Sequence, residues 1–142
     1  MNGQRRTALI SGASAGLGAE FARQLAAAGC DLVLVARRAE RMEDIAAPLR
    51  QRYGIETTLI SADLAVRVAP GQIHAQLAER GIEVDYLINN AGAGSGDLLE
   101  DRDFEVHARY LELMMLSVAQ LCHLFIPAMR QRGFGRVINV AS

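Results

Sequence analysis

The sequence predicts an α/β fold, an open parallel sheet with helices on both faces in a doubly wound arrangement. Three observations carry that expectation. Short β-rich runs alternate with helical stretches along the whole chain, at a spacing that suits strand–helix–strand units with right-handed crossovers. One run, Asp31-Leu32-Val33-Leu34-Val35-Ala36, is apolar almost without a break, as a strand covered on both faces must be. The composition, 51% apolar and 22% charged over 142 residues, suits a single globular domain spanning 1–142.

Taken in order, residues 7–11 read as the first strand. Residues 16–28 form a helix with Leu17, Phe21 and Leu25 on one face, and Gly29 is a good left-handed cap. The second strand is 31–36. Residues 39–53 are helical by the spacing of Met42, Ile45 and Leu49, with Gly54 closing them; Pro48 should kink or shorten that helix. A third strand over 56–61 precedes a helix over 70–80, opened by Pro70 and ended by Gly81. The fourth strand, 86–89, leads into a glycine-rich loop over 91–96. One long helix spans 103–132, and a fifth strand covers 136–140.

The long helix is apolar over much of its circumference. Leu111, Met114, Met115, Val118, Leu121, Cys122, Phe125, Ile126 and Met129 make one stripe, and Tyr110, Leu113, Leu116 and Leu124 flank it. A wide core helix explains this pattern; the favoured expectation adds a second subunit on its outer side, a homo-oligomer through residues 103–132.

Several classes are set aside. The 15 basic and 16 acidic residues give a net charge of −1, without the basic face that nucleic acid demands. Arg5-Arg6 before a four-residue apolar run resembles a targeting signal, but Ser11-Gly12 ends the run too early. Residues 113–129 carry no charge, yet Ser117, Gln120, His123 and Pro127 argue for a core or dimer helix and against a membrane span. Cys30 and Cys122 suit small buried groups in a reducing cytoplasm, and His74, His107 and His123 have no metal-ligand spacing, so no metal is expected.

The chemistry is expected at the carboxyl ends of the strands. Ser11-Gly12-Ala13-Ser14-Ala15-Gly16-Leu17-Gly18 joins a strand to a helix, and its glycines let a pyrophosphate approach amides at the helix amino terminus. The same glycines would also serve a tight turn alone. After the second strand, Arg37 and Arg38 stand where an NAD site carries a carboxylate for the ribose hydroxyls. A guanidinium there suits a 2′-phosphate, which favours NADP over NAD; a solvated helix start is the plain alternative. Asp63, followed by Leu64, is placed to accept from an adenine amino group or to cap a turn. Asn89-Asn90-Ala91-Gly92 would lay small residues against a ribose while Asn90 ties strands together.

Together the motif at 11–18, Asp63, Asn89-Asn90-Ala91-Gly92 and the closing Ile138-Asn139-Val140-Ala141-Ser142 resemble the short-chain dehydrogenase/reductase family, in register over nearly the whole chain. The resemblance implies a Rossmann domain with strand order 3-2-1-4-5. It also implies hydride transfer between NADP(H) and a small carbonyl or alcohol substrate. Gly12, Ser14, Ala15, Gly16, Leu17 and Gly18 would then line the cofactor phosphates, Arg37 would mark NADP preference, and Asp63 with Leu64 would bracket the adenine. Asn90, Ala91 and Gly92 join the cofactor set. Ser142 matches the catalytic serine that hydrogen-bonds the substrate oxygen.

Two departures qualify the match. The family's Tyr-x-x-x-Lys pair, its general acid or base, would follow Ser142, so the chain is expected to be the cofactor-binding part of the domain, inactive alone. Tyr53, Tyr86 and Tyr110 are expected elsewhere. Counting back from Pro127, the family's active-site Asn falls at Met114, whose thioether cannot hold what an amide holds. A non-catalytic NADP-binding or scaffold protein is therefore the alternative. A methyltransferase is more distant, since Arg37 stands where a carboxylate would be wanted.

Overall fold

The structure, a computed structural model, describes residues 4–94 and 100–141. In chain order the elements are β1 (Thr7–Ser11), α1 (Gly16–Ala27), β2 (Asp31–Ala36), α2 (Ala39–Tyr53), β3 (Thr57–Ser61), α3 (Ala69–Glu79), β4 (Tyr86–Asn89), α4 (Phe104–Leu111), a π-helical turn (Glu112–Leu116), α5 (Ser117–Arg132) and β5 (Arg136–Asn139). The strands form one parallel sheet in the order β3-β2-β1-β4-β5, as expected. In β1, Leu9 lies opposite Val33 and Leu87, and Ile10 opposite Leu34 and Ile88.

Alternating side chains of these strands feed two cores. On one face Ala8, Ile10, Leu32, Leu34 and Ile88 meet Ala22 and Ala26 of α1 and Met42, Ala46 and Leu49 of α2. On the other, Leu9, Val33, Val35 and Leu87 meet Ile73 and Leu77 of α3 and Leu121, Phe125 and Met129 of α5. Both faces of β1 and β2 are therefore covered, which is why their sequences are apolar without alternation. Each fully buried Leu, Ile or Met contributes roughly 1.5–3 kcal/mol, so the central strands anchor the loops at their carboxyl ends.

Three helices depart from expectation. The buried residues of α1 are Gly18, Ala22 and Ala26, while Leu17 is 62% exposed. The helix sits so close to the sheet that only small residues fit between them, and Phe21 and Leu25 pack at the rim. Second, α2 runs through Pro48 to Tyr53 and ends at Gly54 in the left-handed region, φ 65°. Pro48 is exposed, and so is Asp44, whose carbonyl lacks the usual partner, so water can satisfy it. Third, the long helix is not uniformly α-helical. The π turn at Glu112–Leu116 shifts the apolar stripe, so that Ser117, Leu121, Phe125 and Met129 face inward while Leu111 and Met115 are exposed. By length and composition alone, Phe104–Arg132 would also pass for a membrane span.

Candidate functional site

The carboxyl ends of β1 and β4 are pinned together by a side chain. Ser11 Oγ accepts the backbone N–H groups of Asn90 (3.0 Å) and Ala91 (2.9 Å). It also donates to the Ile88 carbonyl at 3.4 Å. Asn90 reaches back, its Nδ2 donating to the Gly12 carbonyl at 3.2 Å. These bonds fix the β1–α1 turn against the segment after β4. Two glycines make the turn possible. Gly12 has φ 64°, and a Cβ there would stand 2.9 Å from the Ala91 Cα. A Cβ on Gly18 would fall 2.0 Å from the Gly12 carbonyl oxygen, a distance no side chain survives.

Gly16 differs from both. Its φ is 55°, and nothing lies within 4 Å of where its Cβ would be. It opens α1, whose N-cap residue Ala15 offers no side-chain cap and whose first turn has no acidic residue. The unpaired N–H groups of that turn carry the positive end of the helix dipole.

The turn forms one wall of a cleft of about 1040 Å³ across the carboxyl ends of β1 to β4. The β1–α1 turn contributes Gly12, Ser14, Ala15 and Gly16; the ends of β2 and β3 contribute Arg37, Asp63 and Leu64. Asn90, Ala91 and Gly92 follow from β4, and Phe104, His107, Arg109 and Tyr110 come from α4. The order of the sheet reverses at β1, and clefts at such switch points are where ligands of these folds bind. Ten of the expected cofactor residues are thus brought together. Leu17 is turned to solvent, Gly18 packs behind the turn, and Arg38 stands at the N-cap of α2, so these three do not line the cleft. Ser142 lies outside the described residues.

Charge is concentrated at the β2–β3 end. Ser61 Oγ donates to the Arg37 carbonyl at 2.9 Å, which holds the Arg37 backbone at the cleft edge. Asp63 Oδ1 accepts the Ala65 N–H at 2.9 Å, so the turn-cap alternative is realised. Its Oδ2 meets Arg109 Nη2 at 2.9 Å. Burial pushes the Asp63 carboxyl upward, but the Ala65 N–H and the Arg109 guanidinium, with Arg37 farther off, outweigh it and hold it below the ordinary value.

Four participants went unrecognised in the sequence. Ser11 is buried yet reads as the last residue of a strand. Arg109 and Phe104 fall within the expected helix over 103–132 but outside its apolar stripe. His107 is buried, 7% exposed, with Nε2 2.9 Å from the Asp101 carbonyl; it is a satisfied helix residue in the cleft wall. Tyr110 lies within the long helical stretch and borders both this cleft and a smaller cavity of about 590 Å³ shared with Gly92, Met114 and Val140. Met114 sits within the π turn, and a Cβ on Gly92 would stand 3.4 Å from its Sδ.

The residues present fit a dinucleotide: a glycine cradle before an uncapped helix, a guanidinium at the end of β2 and an ionised carboxylate at the end of β3. Fold and site together define a doubly wound α/β protein with an open cleft at its switch point. The family model for short chain dehydrogenases matches residues 6–142, and the chain belongs to that family of oxidoreductases. A fatty acyl-CoA reductase of Acinetobacter baylyi is 34% identical over 146 residues, which cover 99% of this chain and 48% of that protein. A bulky-bulky ketone specific alcohol dehydrogenase from Comamonas testosteroni superposes with a TM-score of 0.88 at 33% identity, covering 96% of this chain and 54% of that one. A short-chain dehydrogenase from Sphingobium yanoikuyae in complex with NADPH gives 0.87 at 36% identity, covering 96% and 53%. The chain thus spans about half the length of the relatives it matches.

Proposed function

We propose that this cleft holds NADP(H) and that the protein serves a reductase or dehydrogenase acting on a small carbonyl or alcohol. The observation that carries the reading is Arg37 in the cleft wall, at the end of β2, flanked in the chain by Ala36 and Arg38 where a site for free ribose hydroxyls would carry a carboxylate. The NADPH complex of the Sphingobium yanoikuyae relative supports it. When bound, the cofactor supplies hydride transfer chemistry. The chain's own residues bind and orient it. The first-turn N–H groups of α1 receive the diphosphate, Arg37 receives the 2′-phosphate as a charge-assisted bidentate partner, and Ala91 and Gly92 leave room for the second ribose.

Ser142, by its place after Asn139-Val140-Ala141, is the group we assign to the substrate oxygen. The 142 residues contain no lysine, all 15 basic residues being arginine, so a Tyr-x-x-x-Lys pair is not among them. Cofactor binding is accordingly the property to test on this chain. Replacing Arg37 with Asp should weaken NADPH by roughly 30- to 100-fold, the value of a charged hydrogen-bond pair, with little effect on NADH. An equal loss for both cofactors would contradict the reading.

The same proposal extends to a reducing cytoplasm, which two free thiols suit, Cys30 buried and Cys122 packed against the core beneath α3 and α5. Separating cytosolic from membrane and exported fractions tests this, and recovery outside the cytosol would reject it. Exposed Leu111, Met115 and Leu116 on the outer side of the long helix support a homo-oligomer. Light scattering should then show Met115→Glu shifting the population toward monomer, and a monomeric unmodified protein would sink the proposal.

A further inference from the structure

Among the ion pairs of the described residues, Asp63–Arg109 is the one with both partners in the lining of the cleft. Asp63 follows β3 and Arg109 lies in α4, 46 residues away, yet their side chains meet at 2.9 Å and both border the same cavity. The side chains are 32% and 55% exposed, a setting in which an ion pair adds little to stability. The contact is better explained by what it does to the carboxylate. A carboxylate has about four acceptor sites; here Oδ1 has taken the Ala65 N–H and Oδ2 one guanidinium N–H, which fixes the rotamer and leaves one site on each oxygen.

We infer that Arg109 is a positioning residue for the adenine end of the cleft, holding the Asp63 carboxylate oriented to receive an exocyclic adenine amine. The inference rests on the dinucleotide reading of the cleft. It separates the roles of two arginines on one cavity: Arg37 answers the 2′-phosphate, whereas Arg109 acts through Asp63 on the adenine, whether or not that phosphate is present. A neighbouring pair supplies the control. Arg67 Nη1 and Glu112 Oε1 lie 3.6 Å apart and also join the segment after β3 to the long helix, but without touching Asp63. If Arg109 merely clipped that loop in place, Arg67 would matter as much.

Calorimetric titration with ADP-ribose, NADPH and reduced nicotinamide mononucleotide tests this. Arg109→Gln should weaken ADP-ribose and NADPH alike, by about five- to tenfold, the value of one charge-assisted contact in a solvated setting. Reduced nicotinamide mononucleotide, which has no adenine, should be unaffected. Arg109→Lys should recover part of the loss, Arg67→Gln should leave all three affinities unchanged, and melting temperatures should stay within a few degrees, about the value of an exposed pair. Unaltered ADP-ribose binding in Arg109→Gln, or an equal loss in Arg67→Gln, would overturn the inference while leaving the cleft assignment intact. If the unmodified protein bound neither ADP-ribose nor NADPH, the dinucleotide reading itself would fall, and the inference with it.

Discussion

The β1–α1 turn and the α4 wall border the same cleft, but one is made of backbone and the other of side chains. In the turn, Gly12 and Gly18 approach other main-chain atoms so closely that any Cβ collides, and the functional groups are amides that every residue carries. In the wall, Phe104, His107, Arg109 and Tyr110 contribute through their side chains, and the π turn beyond them sets which ones face inward. A backbone wall is intolerant of substitution and serves a ligand part that never varies, such as a diphosphate. A side-chain wall can be retuned by substitution, which suits the parts of a ligand that differ between relatives.

That contrast can be broken most sharply at Gly18. Gly18→Ala places a methyl group 2.0 Å from the Gly12 oxygen, so the turn must move. It should destabilise the protein by about 3 kcal/mol, as overpacking does, and abolish measurable cofactor binding. Gly16→Ala should behave differently: its Cβ meets nothing, so the cost is the strain of φ 55° alone, about 1–2 kcal/mol. The methyl group would nevertheless stand at the phosphate cradle and reduce NADPH affinity. Thermal melts with parallel titrations distinguish the two, and equal melting temperatures would refute the difference drawn between these glycines.

A smaller effect is expected where a side chain supports the backbone wall. Ser11→Ala leaves the Asn90 and Ala91 N–H groups without their acceptor and should cost about 1–3 kcal/mol. Denaturant titration reads this directly, and no change in midpoint would show that water replaces the hydroxyl.

The smallest effect belongs to the side-chain wall. The Asp63 carboxyl titrates below its ordinary value in the folded protein, so its contribution to stability is present above that ordinary value and is lost as pH falls through the lower, folded one. With both partners partly exposed, Asp63→Asn should cost less than about 1 kcal/mol at neutral pH. The gap between variant and unmodified protein should narrow in acid. Urea midpoints at pH 7 and below the ordinary aspartate range check the sign; a gap that widens in acid would contradict it.

The same contrast explains what could be read from the sequence. Strands covered on both faces, such as 31–36, are apolar enough to announce themselves, and the glycines of 11–18 mark a backbone that must bend where side chains cannot fit. Ten of the residues expected at the cofactor do line one cleft, because strand ends converge on one side of such a sheet. Leu17 misled because its apolar character suggested burial, whereas the close approach of α1 to the sheet admits only Gly18, Ala22 and Ala26. The π turn was hidden because one added residue per turn leaves no mark in composition, and it altered which face Leu111, Met115 and Tyr110 present. Arg109 was hidden for another reason: its partner lies 46 residues away, and only the fold brings them together.

The central claim is that a guanidinium at the end of β2 makes this cleft a site for the phosphorylated dinucleotide. Calorimetric titration of the unmodified protein with NADPH and NADH, at one ionic strength, tests it most directly. NADPH should bind at least about tenfold more tightly, the effect of one charge-assisted phosphate contact. Equal affinities, or tighter binding of NADH, would contradict the claim.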